Sequence, residues 1–222
     1  MKFEWKYEWL PVGAIALVFV GTLLLYGRLP DPMPIHWNLA GQPDNFADRA
    51  YGAFLLPLTA AGVYLLMLVI PHLDPRRASY ERFAGTYRIL RSGIVLFMVF
   101  MQLVTFYSVL RGGNMLNSNL VILAVGLLFV LLGNYMPRVR SNWFVGIRTP
   151  WTLSNEKVWR KTHQLGGRLF VLTGVLLMAS MVLPPSYSMA VILGSVVTCA
   201  LIPIIYSYWV YRQVHNESEA AT

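Results

Sequence analysis

Leu169–Tyr211 reads L-F-V-L-T-G-V-L-L-M-A-S-M-V-L-P-P-S-Y-S-M-A-V-I-L-G-S-V-V-T-C-A-L-I-P-I-I-Y-S-Y-W-V-Y, without an Asp, Glu, Lys, Arg or His from end to end. A helix needs about 20 apolar residues to cross the hydrocarbon core of a bilayer. This run is long enough for two crossings, and Pro184-Pro185-Ser186-Tyr187-Ser188 is the turn that divides them. Four more uncharged runs precede it: Trp9–Gly27, Ala50–Pro71, Ser92–Leu110 and Gly112–Pro137. The sequence therefore predicts an all-α membrane protein with six transmembrane helices, centred near residues 18, 61, 101, 126, 176 and 200. Composition agrees. The chain is 56% hydrophobic and 13% charged, where a soluble domain carries about a quarter charged residues.

The net charge of +8 is a matter of placement. With six spans, all of the 18 Lys and Arg except Arg28, Arg49 and Arg111 fall on the side that holds both termini. Cytoplasmic loops collect Lys and Arg, so both N and C termini are expected in the cytoplasm. The basic excess is then a topology signal reinforced by anionic lipid, and direct nucleic-acid binding is not expected. Lys2 to Lys6 followed by an apolar run resembles a signal peptide, but no small-residue cleavage site follows, so the segment reads as a retained first span. Trp5, Tyr7 and Trp9 at one end, and Tyr206, Tyr208, Trp209 and Tyr211 at the other, suit interfacial belts. The single cysteine, Cys199, lies within a span and reads as a small buried hydrophobe.

The chain divides into residues 1–72, two spans joined by a Pro-rich extracellular loop at 28–49, and residues 73–222, four spans carrying a cytoplasmic motif at 133–167. In the outer loop, Pro30, Pro32, Pro34 and Pro43 oppose a regular helix and favour extended segments and turns. Asn38-Leu39-Ala40-Gly41 reads as a turn, with Gly41 free to adopt a positive φ. Asp31, His36, Asp44 and Asp48 lack the ligand spacing of a zinc or hard-cation site, so no metal or other cofactor is expected. Asp31, His36, Trp37, Asn38 and Asp44 form a candidate docking face for an external ligand. In the next loop, Ser79 reads as the N-cap of a helix from Tyr80 to Arg91. Arg76, Arg77, Arg82, Arg88 and Arg91 there read as a solvated, lipid-facing anchor, and Arg111–Asn119 as a plain turn. No ionisable group lies near the middle of any span, where Gln102 is the most polar side chain. That weighs against ion-coupled transport and intramembrane catalysis.

The cytoplasmic motif reads G-N-Y-M-P-R-V-R-S-N-W-F-V-G-I-R-T-P-W-T-L-S-N-E-K-V-W-R-K-T-H-Q-L-G-G from Gly133. Gly133-Asn134 is expected to end the fourth span in a left-handed cap. Gly146 marks a backbone position needing an unusual φ, and Pro150 keeps Thr149 out of helical geometry. Ser141–Trp151 should therefore be ordered but irregular. A helix restarts with Ser154 as N-cap and Glu156 in its first turn. At 100° per residue, Trp159, His163, Gly166 and Phe170 share a stripe facing the irregular segment, with Asn142, Trp143, Arg148 and Trp151 available to it. His163 and Glu156 are about two turns apart, too far for a catalytic dyad, and no nucleophile stands in a recognisable context. A structural histidine and a non-enzyme are expected.

Asn134, Asn142, the run Gly146-Ile147-Arg148-Thr149-Pro150-Trp151-Thr152, Trp159 and His163 resemble the motif of the SdpI family of bacterial immunity proteins. His36-Trp37-Asn38, Gly41 and Pro43-Asp44 resemble a domain of unknown function often found before it. The resemblance implies an integral membrane protein that protects its host from a secreted, membrane-active peptide toxin. It also implies a signalling receptor that captures a cytoplasmic transcriptional repressor at the membrane. On this chain the outer loop would meet the toxin, and the basic inner loops, Arg76 to Arg91 and Arg138 to Arg168, the repressor. The alternatives are a small transporter or permease and, more remotely, a membrane enzyme using His163 or His36.

Overall fold

A computed structural model describes residues 4–38, 41–112 and 118–219. Leu39 and Ala40 of the expected outer turn, and residues 113–117 of the third loop, lie outside the described residues. The chain is predominantly α-helical: α1 (Trp5–Leu25), α2 (Arg49–Leu73), α3 (Ala78–Arg82), α4 (Ala84–Leu110), α5 (Ser118–Tyr135), α6 (Pro150–Ser154), α7 (Glu156–Ser180) and α8 (Pro185–Glu219). The Pro-rich loop after α1 contributes a two-stranded antiparallel hairpin, β1 (Met33–Trp37) and β2 (Pro43–Ala47). Its prolines leave extended backbone as the available conformation, as the sequence suggests. Gly41 at the hairpin turn has φ 76°.

Five segments are long and apolar enough to span a bilayer: Trp5–Arg28, Arg49–Leu73, Ala84–Leu110, Ser118–Arg138 and Pro185–Glu217. The remaining expected span, fifth in chain order, coincides with α7, which differs. Its first half carries Glu156, Lys157, Arg160, Lys161, His163 and Arg168. The uncharged remainder, Leu169–Ser180, covers about 18 Å at 1.5 Å per residue, short of the roughly 30 Å core. Charge and apolar span are thus fused in one continuous helix.

Two compact units emerge, neither contiguous in sequence. One comprises residues 2–68 and 91–125, the other residues 69–90 and 126–222. In the first unit, Leu29, Met33, Ala53, Phe106 and Val109 form a core under the hairpin. Val18, Tyr64, Val95 and Val99 form another. Gln102 is fully buried and donates from Nε2 to the Ala53 carbonyl at 3.2 Å. Arg91, expected as a lipid-facing cation, is fully buried: its guanidinium pairs with Glu8 Oε1, while Glu8 Oε2 accepts from Tyr64 Oη at 2.9 Å. Arg91 lies two turns inside α4, and the acid that pairs it stands in the first turn of α1. Ser79 lies inside α3 and is not its N-cap; α3 ends at Phe83 (φ −135°, ψ 25°), and α4 begins one residue later.

In the second unit α5 and α7 run antiparallel at glycine-limited distance. An added Cβ on Gly133 would stand 2.6 Å from the Gly167 carbonyl, and one on Gly174 2.5 Å from the Gly126 carbonyl. Small residues at such contacts let backbones approach where apolar burial alone gives helices in lipid little reason to associate. Gly133 therefore serves packing. It is not a left-handed cap: α5 continues to Tyr135, and a 3-10 turn follows over Met136–Arg138. Phe129 and Phe170 stack between the same helices at 5.1 Å. α8 packs along α7, where Thr173 Oγ1 donates to the Ser195 carbonyl at 3.3 Å. α7 ends at Ser180, and Pro185 opens α8, so the dividing turn is complete before the second proline.

Candidate functional site

The residues from Val139 to Asn155 lack regular structure except for the five-residue α6, yet their polar groups are closely satisfied. Asn142 is fully buried. Its Nδ2 donates to the carbonyls of Arg140 (2.8 Å) and Val145 (2.9 Å). Its Oδ1 accepts from the backbone N–H of Phe144 (2.9 Å) and Val145 (2.7 Å), and from Tyr80 Oη (3.3 Å). One amide thereby holds a tight turn that no helix or strand ladder could supply.

Asp74 is the second anchor, a residue that sequence reasoning missed. It is 2% exposed and accepts from Tyr80 Oη (2.9 Å), Trp143 N–H (2.9 Å) and Arg76 N–H (2.7 Å). Burial and the adjacent Asp74 carboxylate push the Tyr80 phenol well above its usual range, so it stays a donor. Arg76 donates to Ser141 Oγ and to the Leu153 carbonyl (2.9 Å) and lies 5.7 Å from the Trp143 ring centroid. The available signal was His72-Leu73-Asp74-Pro75, an acid placed just after a span and before a proline.

Thr149 caps α6. Its Oγ1 accepts from Thr152 N–H at 3.1 Å, Thr152 Oγ1 accepts from Thr149 N–H at 2.9 Å, and Pro150 fills the first helical position. The Thr149 hydroxyl also meets Ser207 Oγ on α8 at 3.0 Å, and Trp151 packs on Tyr208 at 5.0 Å. The cap of α7 is Asn155, whose Oδ1 accepts from Lys157 N–H (2.8 Å) and Val158 N–H (3.2 Å). Ser154, expected there, is the last residue of α6. A short extra helix intervenes because Thr149 and Thr152 cap each other. Glu156 stands in the first turn of α7, as the sequence indicates.

Trp159 and His163 face the irregular segment. Trp159 Nε1 donates to the Val139 carbonyl at 2.9 Å, and the two rings stack with centroids 4.0 Å apart. His163 Nδ1 lies 2.8 Å from the Trp159 carbonyl, and Nε2 accepts the Ile147 N–H at 3.0 Å. Only the neutral tautomer with its proton on Nδ1 satisfies both contacts. Burial lowers the His163 pKa to about 4, partly opposed by the Trp159 carbonyl. With both nitrogens engaged, the imidazole is a positioning group. Gly146 has φ 112° and passes directly against it. Arg148 is exposed, and its Nη1 donates to the Trp143 carbonyl at 2.9 Å. Asn134 is exposed on α5 and joins none of these bonds.

The candidate residues of the Pro-rich loop divide. Asp31 Oδ1 accepts from Arg49 N–H at 3.3 Å, and Asp48 Oδ1 from Tyr51 N–H at 2.9 Å, so both serve the start of α2. Asn38 Oδ1 accepts from Gln42 N–H at 3.1 Å and braces the hairpin turn. Trp37 packs against the core under the hairpin, with Nε1 buried and unpaired. His36 Nδ1 and Asp44 Oδ1 meet at 2.5 Å across the strands while their side chains remain 66% and 42% exposed. Among the described residues no cluster of three or more His, Cys, Asp or Glu side chains could hold a metal ion.

Residues 138–207 match the model of the SdpI/YfhL protein family. Residues 13–61 match a domain of unknown function, DUF1648. The chain is similar to Immunity protein SdpI of Bacillus subtilis (strain 168), with 24% identity over 203 residues, 91% of this chain and 94% of that protein. An uncharacterized protein of Archaeoglobus fulgidus is 35% identical over 60 residues, 27% of this chain and 32% of the relative. The uncharacterized membrane protein YbgB of Bacillus subtilis is 35% identical over 46 residues, 21% of this chain and 50% of the relative. No solved structure matches. The 138–207 match takes in Asn142, Asp74's partner Trp143, the α6 cap, Trp159 and His163, and the 13–61 match takes in the hairpin. With these two regions in order and several apolar helices, the chain is a multi-pass bacterial plasma-membrane protein that carries an SdpI/YfhL-type region over residues 138–207.

Proposed function

We propose that this chain is an integral membrane immunity protein that confers resistance to a secreted, membrane-active peptide toxin. One observation carries the reading: similarity to Immunity protein SdpI runs through 91% of this chain and 94% of that protein, so the aligned length takes in both the hairpin and the scaffold. A non-catalytic role agrees with His163, whose nitrogens both face protein partners.

The full proposal has six spans, with α7 as the fifth and both termini cytoplasmic. Residues 1–72 present the outer hairpin, and residues 73–222 carry the inner scaffold. The exposed His36–Asp44 pair, with Trp37 beside it, meets the toxin, while Asp31 and Asn38 hold the loop in shape. Asn142, Gly146, Thr149, Pro150, Trp151, Trp159 and His163 build the inner scaffold, Arg148 stands on its exposed side, and Asn134 lies on α5 just ahead of it. A cytoplasmic transcriptional repressor docks on this basic inner face. Support comes from the charge asymmetry of the loops and from family resemblance.

The test is expression in a toxin-sensitive host challenged with secreted peptide toxins, beginning with any encoded beside this gene. Survival that depends on expression supports the reading. Unchanged killing by every such peptide, with the protein present in the membrane, overturns it.

A further inference from the structure

A cleft of about 290 Å³ opens in the second unit between the α2–α3 turn, the irregular segment and the start of α7. Three arginines reach it from separate places in the chain: Arg76, Arg82 and Arg140. Glu156 is the single carboxylate residue in its lining. Arg76 is half-buried and fixed by neutral acceptors, Ser141 Oγ and the Leu153 carbonyl. Among the described residues, neither Arg76, Arg82 nor Arg140 is ion-paired. The lining also carries hydroxyls. Ser141, which accepts from Arg76, retains its own proton to donate, and Ser79 stands nearby. The start of the 25-residue α7 enters at Asn155 and Glu156, bringing the positive end of a long helix dipole.

Guanidiniums and hydroxyls lining one cleft, with one arginine held in place by neutral acceptors, match a phosphate group, which takes several charge-assisted bonds at once. The volume suits one phosphate ester with its immediate substituent. Trp143, in contact with Arg76, is 46% exposed, and its neighbour Phe144 is 38% exposed. Exposed aromatic rings beside basic groups are the makeup of a surface at head-group level. We propose that this cleft binds the phosphate of an anionic glycerophospholipid head group. The inference stands apart from the immunity reading, because its readout is phosphate binding and involves no toxin.

The test uses the full-length protein in detergent, titrated separately with phosphatidylglycerol, phosphatidylcholine and inorganic phosphate, with bound species counted by native mass spectrometry. The Arg82→Gln/Arg140→Gln variant removes two exposed charges from the cleft. The Arg160→Gln/Arg212→Gln variant removes two exposed charges elsewhere. One phosphatidylglycerol should be retained by the wild type and the control variant, at least tenfold more weakly by the cleft variant, and more tightly by Glu156→Gln. Phosphatidylcholine should compete poorly. Retention unchanged in the cleft variant overturns the proposal. So does inorganic phosphate binding as tightly as the lipid, which would assign a free-phosphate site. Binding of an acidic peptide at the same arginines with no phosphate ligand retained would also overturn it.

Discussion

Gly146 and His163 leave no room between them: a methyl group on Gly146 would stand 2.3 Å from His163 Nε2, the atom that accepts the Ile147 N–H at 3.0 Å. Gly146 also has φ 112°, a conformation that L side chains rarely adopt. Gly146→Ala therefore combines backbone strain with displacement of the imidazole, each worth about 1–3 kcal/mol. The melting temperature of the purified protein should fall by well over 5 °C. An unchanged melting temperature would show that the segment relaxes freely around His163.

His163 gives the scaffold a pH dependence of known sign. Its pKa is about 4 in the folded protein, below the ordinary 6.5, so the unfolded chain binds the proton first. Stability from this group is complete above pH 6.5 and is lost as pH falls towards 4. The loss is about 1.4 kcal/mol per pH unit, or about 2 kcal/mol at pH 5. In the cation, Nε2–H would point at the Ile147 N–H. Unfolding profiles at pH 7, 6 and 5 should be steeper for wild type than for His163→Gln. Equal slopes would remove His163 as the titrating group.

The α5–α7 contact depends on having no side chains at its crossing points. The obstacles to Gly133→Ala and Gly174→Ala are the carbonyls of Gly167 and Gly126, at 2.6 and 2.5 Å. Backbone atoms cannot swing aside, so the helices must separate, at about 1–3 kcal/mol per substitution. Gly13→Ala, with nothing within 4 Å, is the matched control and should be neutral. Thermal stability in detergent compares the three, and a tolerated Gly133→Ala would mean that this close approach is not maintained.

Glu8 and Arg91 form a charge pair 1% and 0% exposed, joined by the Tyr64 hydroxyl. Removing one partner leaves a buried charge, costing about 3–5 kcal/mol. Glu8→Gln or Arg91→Met alone should sharply reduce folded protein in the membrane. The double variant should recover much of that loss. Purely additive losses in a double-mutant cycle would indicate that the two side chains stabilise the fold independently.

These relationships explain what could be read from the chain alone. Uncharged runs reveal apolar helices because a bilayer imposes a length, and Pro32, Pro34 and Pro43 reveal extended backbone because they lack a donor. The Trp159–His163 stripe was legible from helical spacing. Asp74 and Arg91 were not, since their roles depend on partners 69 and 83 residues away in sequence. Gly133 was read as a helix end because local pattern cannot show that Gly167 will lie opposite. The charged first half of α7 was read as a capped helix leading into a span, with the cap placed at Ser154 and found one residue later at Asn155. Charge marks the end of an apolar run, but it does not end a helix.

The exposure of the His36–Asp44 pair allows the proposed toxin contact to be tested apart from folding. Both side chains face solvent, and Met33 beneath the hairpin is fully buried independently of them. His36→Ala/Asp44→Ala should leave melting temperature within the range of ordinary surface substitutions, about 0.5 kcal/mol. If the pair anchors toxin, its loss should raise the concentration needed for full protection by at least about tenfold, as for a contact worth 1.4 kcal/mol or more. Gly146→Ala should lose protection together with folded protein. Full protection by the His36→Ala/Asp44→Ala variant at equal membrane abundance would move toxin contact off this face of the hairpin.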